Sequence, residues 1–341
     1  MEAIALNRFS GLRFKNGKHL RNRVVVPPMA SETADLDGFV TEKTIAHYRR
    51  LSKSGAGLVM VEYTYVHRSG RSEENQLGIQ SDAHVEGLSK IAKIIHDSGA
   101  IAGLQITHAG GKTSRDLTGG VLMGPSSVAV PVKDREMERP DPMSLEDIEL
   151  WKSSFASAAK RAALAGFDIL EFHSAHGYGL NQWLSPITNH RSDEYGGGLE
   201  NNSRLLLEII QQVKRAEPQL LVAVRMPGQD FLEGGLSHGD TAHLATMLEV
   251  AGIDLIDVSS GIGGWRRPRD RHGEGYLVAE AQAIQSVVSV PVIGVGGIQT
   301  GDFIDQALNN RLLSLAAVGR SILAGPEVWA NQNLSGKYAS L

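Results

Sequence analysis

A chain of 341 residues with a formal net charge of −4, 42% hydrophobic residues and 21% charged residues has the composition of a globular protein with one sizeable core or two modest ones. The mild negative balance gives no reason to expect nucleic acid or an acidic membrane surface as partner, and no apolar run approaches the roughly 18–20 residues of a membrane span. Cysteine is absent, which removes disulfides, thiolate zinc sites and iron–sulfur clusters together. The opening MEAIALNRFS has no basic stretch followed by an apolar one, so a secretory signal is not expected and a cytoplasmic location is.

Short β-branched runs alternate with amphipathic segments along the chain. A first strand over Arg23–Pro27 runs into Pro28, Met29 and Ala30. A helix over Thr41–Lys53 carries Ile45, Tyr48 and Leu51 at helical spacing, and a strand over Gly57–Tyr65 follows. The next helix, Asp82–Ser98, repeats Leu88, Ile91, Ile94 and Ile95 before a third strand at Ile101–Thr107. Ala109 to Met143 is irregular, with several Gly and Pro residues and a mixed-charge run from Lys133 to Arg139. A loop that long in a compact domain is usually functional, and a substrate lid is expected. Ser144 and Asp147 have capping-box spacing and open a helix to Ala165. The fourth strand, Phe167–His173, leads to a polar loop and a helix over Leu199–Ala216. Three more units complete the pattern: Leu220–Met226 with His238–Ala251, Leu255–Ser259 with Leu277–Ser289, and Val292–Val295 with Asp302–Asn310. An eighth strand, Leu315–Val318, closes the series. Eight alternations predict an α/β fold, a (β/α)8 TIM barrel, as a single domain over residues 1–341 with a long lid after strand 3. The alternative, a doubly wound open sheet, prefers a Gly-rich turn after its first strand, and Pro27-Pro28-Met29-Ala30 is not one.

The chemistry concentrates at predicted strand ends. His173, His176 and Tyr178 lie within six residues at the end of the fourth strand. The His pair reads as a metal site only with a third ligand and a helical HExxH context, which is missing. Two imidazole N–H groups aimed at a carbonyl oxygen would stabilise the charge it gains when hydride reaches the β-carbon, by a few kcal/mol each. A phenol with an ordinary pKa near 10 stays protonated and can hand a proton to the α-carbon; the alternative for Tyr178 is a packing role. Gly296 and Gly297 end the seventh strand, and Gly319 and Arg320 end the eighth. Loops at these two places commonly bind phosphate in barrels, which implies a phosphorylated ligand or cofactor. Gln105 on the third strand and Arg225 on the fifth suit an anionic ring edge such as that of a reduced flavin. For Arg225 the alternative is a structural ion pair with Asp168 or Asp257. Arg266, Arg267, Arg269 and Arg271 crowd a loop running from Gly263 to Gly275. It is either a solvated basic loop or an attractor for an anionic dinucleotide, NADPH before NADH.

Together these stretches resemble the old yellow enzyme family, the FMN-dependent ene reductases, from Leu6 to about Trp329. HSAHGYGLNQWLSPITNHRSDEYGGGLEN carries the resemblance most specifically, and NRVVVPPM, GLQITHAGGK, VGGI and VGR support it. The resemblance implies that Pro28, Met29, Ala30 and Tyr63 line FMN, that Gln105 and Arg225 contact its pyrimidine edge, and that Gly296, Gly297, Gly319 and Arg320 hold its phosphate. It implies that His173 and His176 hold the substrate oxygen and that Tyr178 donates the proton. The implied chemistry is ping-pong: NADPH or NADH reduces the flavin and leaves, and hydride then passes to an electron-poor alkene, an α,β-unsaturated carbonyl or nitro compound. A homo-oligomer is implied as well. Three positions depart from the pattern. Ala30 stands where one bacterial branch has a flavin-tuning cysteine, Tyr63 replaces a small residue, and Asn202 breaks the usual ENR. A barrel lyase or isomerase acting on a phosphorylated small molecule, and a flavin-binding protein of low ene-reductase activity, are the competing readings.

Overall fold

The computed structural model describes residues 6–133, 135–265 and 267–335. Eight parallel strands close into a barrel: β1 Val24–Val26, β2 Leu58–Tyr65, β3 Ile101–Thr107, β4 Ile169–His173, β5 Leu221–Pro227, β6 Leu255–Ser259, β7 Val292–Gly294 and β8 Leu315–Ala317. Each predicted strand is present. The helices α1 Glu42–Leu51, α2 Val85–Asp97, α3 Leu145–Leu164, α4 Leu199–Ala216, α5 His238–Val250, α6 Val278–Gln285 and α7 Gly301–Asn309 alternate with them. The (β/α)8 barrel is therefore the fold. Two C-terminal helices, α8 Arg320–Ala324 and α9 Pro326–Asn333, escaped the sequence reading.

Alternation along the strands divides the barrel interior into two zones. Near the N-terminal ends, Leu58, Met60, Ile169, Leu221, Leu255 and Leu315 form one apolar cluster. A small hairpin, Leu12–Arg13 paired with His19–Leu20, adds Phe14 and Leu20 to that cluster and stops the barrel floor. Two and four residues further on, the same faces turn polar. Ile169 is followed inward by Glu171 and His173, and Leu255 by Asp257 and Ser259; on β5 the apolar floor extends through Ala223 before Arg225. The register puts Gln105 beside Glu171, His173 beside Arg225, and Arg225 beside Asp257. Sequence order and pleat thus deliver a ring of polar groups at the C-terminal mouth.

The outer strand faces pack against the helices. Ile45, Tyr48 and Leu51 are the buried stripe of α1, and Leu88, Ile91 and Ile95 that of α2. Capping fixes the helix starts: the Asp147 amide donates to Ser144 Oγ at 3.2 Å, as the capping-box spacing predicts. Phe155 of α3 is fully buried against Trp151 and Phe172. Its truncation to Ala would cost about 3–5 kcal/mol.

The long segment after β3 is built rather than loose. It holds a short helix, Arg115–Thr118, and a strand pair, Met123–Gly124 with Asp141–Pro142. Val130 and Met137 pack with Ile262 from the loop after β6. Among the described residues no helix is long and apolar enough to cross a membrane.

Candidate active site

The C-terminal mouth of the barrel opens into a cavity of about 860 Å³. Pro28, Met29 and Ala30 reach it from the loop after β1, Tyr63 from β2, Gln105 from β3, and His173, His176 and Tyr178 from the end of β4. Arg225 enters from β5, and Gly297, Gly319 and Arg320 come from the loops after β7 and β8. Gly296 does not line the cavity. Its carbonyl accepts from the Tyr276 amide at 3.0 Å, and a Cβ there would lie 2.7 Å from the Leu277 nitrogen. It lets the loop after β6 pack closely instead.

The two histidines are held in complementary ways. His173 Nδ1 accepts from the Ala175 amide at 3.4 Å, which leaves the proton on Nε2. His176 Nε2 bonds Ser259 Oγ at 2.7 Å. When that hydroxyl donates, Nδ1 of His176 carries the second proton. Burial pushes both imidazoles well below their ordinary pKa, and the Arg225 charge adds to the effect. Both rings are neutral donors at neutral pH. They stand edge to face with centroids 5.0 Å apart. His176 has φ of +59°, an unusual left-handed conformation for a non-glycine residue.

Tyr178 packs at 4.7 Å from the His173 ring and 5.4 Å from the Tyr63 ring. Burial raises its phenol to about 12, against hydrogen bonding from Ser72. Tyr63 is likewise pushed up by burial and by Tyr178. Tyr63 points inward because the register of β2 against β3 shifts between Val61 and Thr64. Upstream of that irregularity Leu58 and Met60 face the interior. After it Glu62 turns away, accepting from Tyr48 Oη at 3.1 Å and from the Ser31 amide at 2.8 Å.

A sealed charge cluster lies beneath the cavity. Arg225 Nε is 3.0 Å from Asp257 Oδ2, so the ion-pair reading of Arg225 holds with Asp257 while the guanidinium also borders the cavity. Asp168 belongs to a separate cluster, with Lys18 at 2.5 Å and His96 at 2.7 Å. Gln105 Nε2 donates to Glu171 Oε1 at 2.8 Å. Among the described residues Glu171 Oε2 and Asp257 Oδ1 have no hydrogen-bond partner. Burial raises the Glu171 carboxyl, and the nearby Asp257 raises it further.

Loops supply the rest. Trp265 stacks under the Arg320 guanidinium at 5.4 Å, and Arg267 lines the cavity rim. Arg271 is not part of a free basic patch: its Nη1 is 2.6 Å from Glu280, a carboxylate with no exposure. Arg266 lies outside the described residues. None of the described residues of the lid lines the main cavity. The lid walls a neighbouring one of about 790 Å³, lined by Lys112, Val132, Lys133, Trp265, Arg267 and Arg269 among others. Sequence reasoning named Asp257 only as a partner of Arg225, missed Glu171, Ser259, Trp265 and Tyr276, and placed Lys112 in the lid, away from the strand ends. The two-residue period inward from Ile169 and Leu255 was the available signal for Glu171 and Ser259.

The model of the NADH:flavin oxidoreductase / NADH oxidase family matches residues 8–334. The chain belongs to this family. An NADPH dehydrogenase of Halalkalibacterium halodurans is 39% identical over 311 residues, 91% of this chain and 89% of that protein. The structure of an old yellow enzyme homologue from Zymomonas mobilis superposes with a TM-score of 0.81 at 25% identity, covering 95% of this chain and 92% of that one. A 2-naphthoyl-CoA reductase shares the fold with a TM-score of 0.86 at 24% identity; 95% of this chain matches, spanning 52% of that longer protein. The old yellow enzyme resemblance seen in the sequence is thereby established, and this member is an NAD(P)H-dependent flavin oxidoreductase with FMN as cofactor.

Proposed function

We propose that the protein reduces the activated C=C bond of α,β-unsaturated carbonyl or nitro compounds, with His173 and His176 as oxygen-holding donors and Tyr178 as proton donor. The convergence of two neutral imidazoles and one protonated phenol on the cavity that also receives Arg225 and Gln105 carries this reading.

The residues suit FMN. A buried guanidinium whose Nε has no hydrogen-bond partner among the described residues, and the Gln105 amide lining the same cavity, match an anionic ring edge. Arg320 and Gly297, whose φ of +69° only glycine adopts freely, match a phosphate at the other end. Pro28, Met29, Ala30 and Tyr63 would line the ring, with Gly319 beside Arg320. When bound, FMN takes hydride from the nicotinamide and supplies it to the alkene. The chain does the rest. His173 Nε2–H and His176 Nδ1–H receive the substrate oxygen and stabilise its developing charge, each by about 3–4 kcal/mol. Neutral imidazoles are the right form, because each keeps one fixed donor. Tyr178, kept protonated across the neutral range, gives its proton to the α-carbon. Tyr63 narrows the substrate side beside Tyr178.

The test is spectroscopic. The purified protein is expected to be yellow, to bleach with NADPH or NADH, and to recover its colour with cyclohexenone in single-turnover mixing. Tyr178→Phe should slow recovery far more than bleaching. Equal losses in both half-reactions would make Tyr178 structural, and a colourless protein indifferent to added FMN would overturn the reading.

A further inference from the structure

Lys112 leaves the turn after β3, where its amide donates to the Ala109 carbonyl at 3.0 Å. Its side chain runs along the neighbouring cavity towards the active site. There Nζ donates to the His176 carbonyl at 2.7 Å and stands over the Tyr178 ring, 4.1 Å from its centroid. Both partners are uncharged. An ammonium so enclosed is costly, and burial lowers its pKa to about 8, with Arg135 adding to the fall and Glu73 opposing it. Such a cost calls for a return elsewhere.

Two returns are visible. Tyr178 becomes a phenolate when its proton leaves, in a place where burial already penalises that charge. A cation on its ring face favours the phenolate more than the phenol, because the added charge is full rather than a quadrupole. The same ammonium holds the carbonyl of His176, the residue in the left-handed conformation, and thereby fixes the turn that aims both His176 and Tyr178. It also opposes protonation of His173 and His176.

We infer that Lys112 is a positioning residue for proton delivery, holding the His176 turn and supplying the countercharge for the Tyr178 phenolate. The inference rests on the proposed alkene reduction. In that step the Tyr178 O–H bond breaks and a C–H bond forms at the substrate α-carbon. The negative charge passes from the substrate oxygen to the phenolate, which water re-protonates. Glu73 and Arg135 act on Lys112 electrostatically, Lys133, Arg267, Arg269 and Asp270 line the same cavity, and the titratable groups on the active-site side are His173, His176 and Tyr178.

The experiment follows alkene-driven recovery of the flavin colour from neutral to alkaline pH in wild type, Lys112→Met, Lys112→Arg, Tyr178→Phe and the Lys112→Met/Tyr178→Phe double variant. The wild-type rate should fall as pH rises through about 8, because the ammonium is lost there. Lys112→Met should be slower by roughly ten- to a hundredfold at neutral pH, with that step in the profile gone. Lys112→Arg, a permanent cation, should recover much of the rate and carry no step near the lysine pKa. In the Tyr178→Phe background Lys112→Met should add little, since there is no phenolate to stabilise. A Lys112→Met rate equal to wild type, or an equal loss with and without Tyr178, overturns the inference while the proposed reaction stands. If Lys112→Met does not fold, an alkaline fall at the wild-type midpoint in Lys112→Arg overturns it. A Tyr178→Phe variant as fast as wild type removes the proton-donor reading itself.

Discussion

Position 176 allows the geometry to be tested through stability and activity at once. His176 has φ of +59° and is followed by Gly177 at +78°, so two consecutive residues are left-handed. A side chain with a Cβ pays about 1–2 kcal/mol there, and glycine does not. His176→Gly and His176→Ala both lose the 2.7 Å bond to Ser259, about 1 kcal/mol, and both vacate the imidazole volume. They differ in the strain term and, in the opposite sense, in the larger chain entropy that glycine loses on folding, about 0.5–1 kcal/mol. Gly should still be the more stable of the two, by about 0.5–1 kcal/mol, the reverse of the order in a helix or strand. Asn tolerates the left-handed region and keeps an N–H donor, so it should lie close to Gly in stability. The assay is the urea midpoint at saturating FMN, with a common m-value as the check on two-state comparison. Activity should order differently. Asn should retain part of the alkene reduction, whereas Ala and Gly should both lose about a hundredfold. A variant set in which Ala is as stable as Gly would refute the strain, and one in which Gly matches Asn in rate would refute the donor.

Other perturbations probe the remaining parts of the site. Arg320→Ala should weaken FMN retention roughly ten- to a hundredfold, the worth of a charge-assisted bond of about 1.5–3 kcal/mol; fluorescence of released FMN on dilution measures it, and unchanged retention would clear Arg320 of a phosphate role. Glu171 has its pKa raised on folding, so its contribution to stability is full below the unfolded value and is lost as pH rises through the folded one. Glu171→Gln should accordingly flatten the fall of stability from acidic towards alkaline pH, read from urea midpoints at several pH values. Arg267→Ala/Arg269→Ala should lower the ratio of NADPH to NADH reduction rates at low salt, and the difference should shrink at high salt. A ratio unaffected by the double variant would make the loop ordinary surface, with Arg271 serving only to anchor it on Glu280.

The barrel was legible because its signal is repeated: each inward strand face is apolar at the floor, and each unit ends in a helix with a buried stripe. The candidate site was legible where its polar groups lie close together in the chain. His173, His176 and Tyr178 fall within six residues, and the turn through Gly177 keeps them together in space. What stayed hidden depends on side-chain reach or on register. The inward turn of Tyr63 requires the irregularity in β2, which no residue of that strand announces. Gly296 and Gly297 look equivalent as a pair, and a Cβ on either would meet Tyr276, yet with φ values of +124° and +69° Gly297 lines the cavity and Gly296 does not.

Lys112 shows the limit most clearly. It follows β3 by five residues and belongs, by sequence, to the long segment that walls the second cavity. Only the length of its side chain and the left-handed carbonyl of His176 bring its ammonium onto the Tyr178 ring. The chemistry of the mouth is therefore shared between strand ends, whose order the sequence displays, and a residue delivered by tertiary packing. That division has a physical cause. Strand ends are placed by backbone hydrogen bonds of fixed period, whereas a lysine chooses among many rotamers and settles where an acceptor and a π-face coincide. The same freedom makes arginine at position 112 a discriminating substitution: it keeps the charge and the reach but cannot lose its proton.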